Sequence, residues 1–242
     1  MGTAQSPLLS HPGFRANTAD RTAFLVVSAA GMPDPTMAPL KLPSPAAVAV
    51  LRVGADFGLQ SLALLDAPQF RPKEIAEKFW LGVSLYGKAK LVFFRGRQFE
   101  LPMLELAAFR YGLPLGDYVQ QSRNRFNGPL DLSDWFTNHG ANTLTGGLDE
   151  LARLIGRPAG LGVRSDEVAG LVADGRTDDV NAACLCDALD TYFVFLRTRV
   201  MACEITPEQE ADRTAAARVL LAARADEVPI LDRYLEGWKQ AA

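Results

Sequence analysis

The chain has 242 residues, 48% of them hydrophobic and 22% charged, an ordinary globular composition that lets roughly 72% of the unfolded surface be buried around one sizeable core. Lys plus Arg number 25 against 28 Asp plus Glu, a net charge of −3, which excludes a strongly cationic coat protein but leaves room for a local basic groove. Two histidines (His11, His139) and three cysteines (Cys184, Cys186, Cys203) exclude a disulfide framework and an all-Cys/His zinc site, and the odd thiol count fits a reducing, cytoplasmic compartment.

Residues 1 to 20 are small and polar, with Pro7, Pro12 and Gly13, and read as a loose tail. The apolar stretch from Thr22 to Pro33 is too short to cross a bilayer. It imitates a secretory signal, with Arg15 and Arg21 ahead and Ser28, Ala29 and Ala30 behind. Asp20 directly upstream and the β-branched run FLVV favour a buried strand over Thr22 to Val27 instead. Pro33, Pro35, Pro39, Pro43 and Pro45 leave Gly31 to Pro45 without a regular element. Ala46 to Val53 and Gln60 to Leu65 flank a Gly54–Gly58 turn and read as a hairpin. Lys73 to Tyr86 carries an apolar stripe of Ile75, Phe79, Val83 and Tyr86 and predicts a helix. Leu91 to Phe94 predicts a buried strand, broken at Gly96, before a helix over Leu101 to Tyr111. Further helices are expected over Leu148 to Ile155 and Asp178 to Val200, and in a final pair from Pro207 to about Ala223 and from about Val228 to Lys239. Strands early and helices late indicate an α/β chain.

Three stretches carry chemistry. In Leu91–Leu104, LVFFRGRQFELPML, a strand runs through a Gly turn into a helix, presenting Glu100 at the strand's carboxyl end, where α/β sheets place ligand sites; the plainer role for Glu100 is to favour the helix's positive end. In Asp178–Arg197, Asp187 interrupts an apolar helix face near Ala183, Ala188 and Phe195, which is costly unless the carboxylate is paired or holds a metal; Asp190 competes with it or is solvated. In Phe126–Phe136, Asp131 and Asp134 read as turn or cap residues. Basic residues crowd the same region (Lys88, Lys90, Arg95, Arg97, Arg110, Arg123, Arg125), and Phe99, Phe126 and Trp135 offer stacking surfaces for single-stranded bases, with a solvated and core role as the plainer alternative.

The order FRGRQFELPMLELAAF, PLDLSDWF, GGLDELARLIGRPAG, DVNAACLCDALDTYFVFLR resembles the predicted 3′-5′ exonucleases related to the proofreading domain of family B DNA polymerases, over about residues 22 to 200. The resemblance implies an α/β, ribonuclease H-like exonuclease fold: a mixed central sheet flanked by helices, with a helical C-terminal extension. It divides the chain into a flexible tail (1–20), an exonuclease-like domain (21–203) and the extension (204–242). It further implies four acidic ligands, the DEDD set, for Mg²⁺ or Mn²⁺. Against the pattern D-I-E-T-x-P-D stands Ser28-Ala29-Ala30-Gly31-Met32-Pro33-Asp34, with Ser28 and Ala30 at the ligand positions. Against N-G-R-x-F-D-L-P stands Arg95-Gly96-Arg97-Gln98-Phe99-Glu100-Leu101-Pro102. Against Y-C-x-x-D-V-x-x-T-Y stands Ala183 to Tyr192, with Asp187 retained and Ala183 in place of Tyr. Glu100 and Asp187 therefore remain as catalytic or metal-binding candidates, holding one cation weakly at most.

These departures point to an impaired exonuclease that binds single-stranded DNA or RNA through Arg95, Arg97, Lys88, Lys90 and Phe99, with no metal bound and working beside a polymerase or nuclease partner protein, away from membranes. The alternatives are an active exonuclease with Asp34, Asp131 or Asp190 as substitute ligands, and a protein-interaction scaffold. Arg95 has two readings. It replaces the metal as counter-charge between Glu100 and Asp187, or it points to solvent or a phosphate.

Overall fold

The computed structural model describes residues 22–35, 43–66, 69, 71–116, 118–122, 128–164 and 166–241. The expected tail, His11, Arg123, Arg125 and Phe126 lie outside the described residues. The run that reads as a short strand is longer: β1 spans Thr22–Met32. It alternates cleanly. Val26, Ala30 and Met32 turn to one apolar core, Leu25, Val27 and Ala29 to the other, as a strand buried on both faces must.

Two further strands, β2 (Ser44–Gly54) and β3 (Leu59–Leu64), form the expected hairpin. Pro45 enters β2 opposite Gly31, where the β1–β2 register shifts; a residue without an N–H is tolerated at such an irregularity. The proline-rich stretch thus shortens to the connection between the strands. After helix α1 (Pro72–Leu85) comes β4 (Lys90–Phe93), then helix α2 (Glu100–Tyr111) and a two-residue strand β5 (Leu130–Asp131). The sheet order is β3-β2-β1-β4-β5. β2 is antiparallel to its neighbours, and β1, β4 and β5 run parallel. This mixed sheet flanked by helices agrees with the architecture that the resemblance implies.

Helices α1 and α2 cover one face, with Ile75, Phe79, Trp80, Leu101 and Leu104 in that core. The other face carries α3 (Leu132–Thr137), α4 (Gly147–Leu154), α5 (Val168–Ala173) and the long α6 (Thr177–Met201), followed by α7 (Pro207–Ala222) and α8 (Ile230–Ala241). The reading from sequence misses β5, α3 and α5, which are too short to show a period. α6 is buried around most of its circumference, because the sheet lies under it and α4, α5, α7 and α8 lie over and beside it. The C-terminal helices join the same core through Ala217, Leu221, Leu231, Tyr234 and Trp238. α7 starts on a capping box between Thr206 and Gln209. No helix among the described residues is long and apolar enough to cross a membrane.

Candidate active-site cavity

The carboxyl end of β4 leads into a tight turn that sets up the site. Asp131, 3% exposed, accepts backbone N–H bonds from Arg95 (2.9 Å) and Ser133 (3.0 Å) on Oδ1 and from Arg97 (3.0 Å) on Oδ2. One carboxylate thereby caps α3 and fixes the β4–α2 turn. The turn is tight enough that Arg95 adopts a φ of 63°, and a Cβ at Gly96 would lie 2.3 Å from the Phe93 side chain, so only glycine fits there. Asp131 is the cap its sequence setting suggests. Asp134 pairs with Arg97 at 3.1 Å.

The turn delivers Glu100 as the first residue of α2, facing a cavity of about 420 Å³. Ser28 and Ala30 line it from β1, Phe94, Arg95, Gln98 and Phe99 from the turn, and Ala183, Cys184 and Asp187 from α6. Every residue matched to the ligand or tyrosine positions of the three motifs, namely Ser28, Ala30, Glu100, Ala183 and Asp187, meets in this one place. The Cys184 thiol donates to the Ser28 carbonyl at 3.0 Å, and burial holds that thiol up at about 12, so it is an inert part of the wall.

The two acids are poorly compensated. Glu100 is 8% exposed, and its Oε2 has no hydrogen-bond partner. Burial pushes its carboxyl up to about 8, against the hydrogen bond from its own backbone and with help from the Asp131 and Asp187 charges. Burial pushes Asp187 up to about 7, with further repulsion from Asp190 and Asp149. Asp187 also lies against the chain at Gly162, where a Cβ would come within 2.8 Å of its Oδ1. Arg95 is exposed and makes no ion pair with either acid. The counter-charge arrangement is therefore not made: Arg95 sits in a left-handed turn with its side chain exposed beside the cavity.

The other predicted residues separate. Lys88 and Lys90 are exposed at the amino end of β4, away from the cavity at its carboxyl end. Arg97 bridges to α3, donating to the Pro129 carbonyl (2.8 Å) beside its Asp134 pair. Arg110 pairs with Asp34 at 2.5 Å, and Ser44 donates to the same carboxylate at 2.8 Å. Asp190 is neither solvated nor in the cavity; it is 2% exposed and accepts from the Tyr234 hydroxyl of α8 at 2.5 Å. Trp135 packs edge-on against Phe136. Sequence reasoning missed Phe94, Gln98, Val163 and Val168 in the lining and Asp149 near Asp187. The hydrophobic end of LVFF and the Gly-Leu-Gly-Val run were the available signals.

A pair of divalent cations about 4 Å apart needs several carboxylates to hold it. The cavity offers Glu100 and Asp187, while its β1 wall offers a hydroxyl and a methyl group. No group of three or more His, Cys, Asp and Glu side chains able to hold a metal occurs among the described residues. The donor set does not fit a cation pair.

Comparison with known proteins adds the family. Solved structures align at low similarity. The E. coli exonuclease I complex with a 5cy-dT13 oligonucleotide is 14% identical, covering 79% of this chain and 42% of that one at a TM-score of 0.39. A product-bound exonuclease I is 16% identical, covering 75% and 48% at a TM-score of 0.38. The chain thus spans less than half the length of these structures. No curated protein gives a significant match. A family model does match, over residues 36–238, which is most of the chain and begins beyond β1. On that match, the chain belongs to the family of predicted 3′-5′ exonucleases related to the exonuclease domain of PolB.

Proposed function

We propose that this protein is a non-catalytic member of its exonuclease family that binds single-stranded nucleic acid at the cavity mouth. The observation that carries the reading is the β1 wall, where Ser28 and Ala30 face Glu100 and Asp187 across the cavity. Metal-assisted phosphodiester hydrolysis needs one cation to activate water and another to stabilise the leaving oxygen. Two carboxylates with raised proton affinity hold such a pair poorly. The acids that would substitute are engaged elsewhere: Asp34 with Arg110 and Ser44, Asp131 with three backbone N–H groups, Asp190 with Tyr234.

Binding rests on the exposed Arg95 and on Phe99, which stand together at the mouth. Arg95 offers a phosphate contact and Phe99 a stacking face, a combination that is tolerant of sequence. Lys88 and Lys90, at the other end of β4, contribute more distant attraction.

The test is incubation of the full chain with end-labelled single-stranded DNA and RNA in Mg²⁺ and in Mn²⁺, alongside a binding isotherm at several salt concentrations. The expected result is intact substrate, and binding that weakens steeply with salt. Digestion from the 3′ end that EDTA and Asp187→Ala both abolish overturns the non-catalytic reading. Absence of binding at low salt overturns the nucleic-acid reading.

A further inference from the structure

The cavity has a property that nucleic-acid binding at its mouth does not use: two carboxylates that no cation pairs with among the described residues. Glu100 lines the cavity at 8% exposed, and its buried Oε2 lacks a hydrogen-bond partner. Asp187 is the second carboxylate in the lining, and Arg95, the lining's cation, pairs with neither. A buried acceptor without a donor is costly, so a ligand that supplies donors and charge gains more here than on the open surface.

The remaining walls select the kind of cation. Ala30, Phe94, Val163, Val168 and Val180 line the cavity with carbon. A hard divalent ion dehydrates reluctantly and wants about six oxygen ligands, which these walls do not replace. An alkylammonium carries three N–H donors on a stem that packs well against valine, and it is attracted to an aromatic face such as Phe94. About 420 Å³ lies within the ordinary range for a small organic ligand.

We infer that the cavity binds a primary ammonium group on a short alkyl stem, seated between Glu100 and Asp187. The inference rests on the reading that the cavity does not hold a cation pair. Two sources carry this chemistry, a free diamine and a lysine side chain of a partner protein.

The experiment is isothermal titration of the full chain, at mildly alkaline pH, with 1,4-diaminobutane, with Nα-acetyl-lysine methylamide and with MgCl₂. Both amines are expected to bind at one site, with Mg²⁺ at least tenfold weaker. Tighter binding of the diamine assigns the free molecule, and tighter binding of the lysine mimic assigns a protein side chain. Glu100→Gln should weaken amine binding at least tenfold. Val163→Phe, which fills the cavity and leaves its charges alone, should do the same and covers the case in which Glu100→Gln folds poorly. Amine binding that is absent, or unchanged in both variants, overturns this inference and leaves the non-catalytic reading standing. Mg²⁺ binding tighter than either amine overturns both.

Discussion

Two buried acidic sites in this protein have met the same problem and solved it in opposite ways. Asp66 follows β3, and its side chain is fully shielded from solvent. Burial alone would raise its pKa, but Arg71 and Lys78 donate to it at 2.7 and 2.6 Å, and the Arg71 backbone N–H adds a bond at 3.1 Å. The partners win, and the carboxyl is held well below the usual carboxylate range. Glu100 is nearly as buried and has no basic partner, so burial wins and its carboxyl is pushed up to about 8. The partners decide the difference: two cations cover Asp66, and none reaches Glu100 among the described residues. Asp66 is built as an ion pair, whereas Glu100 and Asp187 line a cavity with no cation paired to them among the described residues.

The sharpest way to break this comparison is to return the missing acids. Ser28→Asp with Ala30→Glu places four acidic groups around one cavity, and without a metal it should destabilise the fold by about 3 kcal/mol or more, since unpaired buried charge is the costliest kind. Millimolar Mg²⁺ or Mn²⁺ should recover much of that loss as a concentration-dependent rise in Tm. A double variant with an unchanged Tm in EDTA would show that the cavity is wetter and more tolerant than its lining suggests.

Next in size is Asp66→Asn. Removing the charge strands Lys78, 23% exposed, while Arg71, 53% exposed, returns easily to water. The loss should therefore be about 2 kcal/mol in urea denaturation near neutral pH, below the cost of breaking a fully buried pair. The pH dependence gives its sign independently. A carboxyl whose pKa is depressed by folding stabilises above its unfolded value, near 4, and that contribution is lost as pH falls through the folded value. The gap between wild type and Asp66→Asn should accordingly close on acidification.

Glu100→Gln should act the other way. A carboxyl raised by folding binds more protons in the native state than in the unfolded one between its ordinary value, 4.5, and about 8. Stability therefore falls across that window as pH rises. Glutamine removes the slope, so the variant should nearly match wild type near pH 5 and exceed it increasingly as pH rises, by at most about 4 kcal/mol near pH 8. Equal pH profiles for the two proteins would mean that Glu100 is already paired in solution.

How much of this was legible in the sequence follows from the range of each interaction. The β-branched run FLVV and the Gly turn before Glu100 are local, and they placed β1, β4 and the start of α2. Asp187 was legible as an acid on an apolar helix face, and the resemblance gathered it with Glu100, Ser28 and Ala30 in one cavity, as the fold does. Asp190 was not legible in its partner, because Tyr234 lies 44 residues away. Nor was the staple by Asp131, whose bond to the Arg95 N–H spans 36 residues. Lys88 and Lys90 looked like neighbours of Arg95 because the sequence is linear; the length of β4, four residues and roughly 13 Å, sets them apart. Pro33 to Pro45 concealed the carboxyl end of β1, since proline propensity does not reveal that a central strand is held from both sides.

The smallest expected effect, at Arg95, sharpens the comparison most, because it separates the two kinds of site by a single cation. Had Arg95 done for Glu100 what Arg71 does for Asp66, removing it would cost as much as breaking that pair. Its side chain is instead exposed and unpaired with the cavity acids, so Arg95→Ala should change stability by less than about 0.5 kcal/mol. The backbone carries a separate signal. Arg95 sits at φ 63°, a conformation that costs a residue with a Cβ roughly 1 kcal/mol or more and glycine almost nothing. Arg95→Gly should therefore recover part of that strain, less the entropy glycine loses on folding, and prove no less stable than Arg95→Ala. Both variants remove the same charge, so both should lower the log–log salt slope for single-stranded nucleic acid by about 0.7, the share of one phosphate contact. Equal loss in binding with unequal stability identifies a side chain that serves the ligand and a backbone that serves the turn. A large, equal loss of stability in both variants would restore Arg95 as the counter-charge of the cavity.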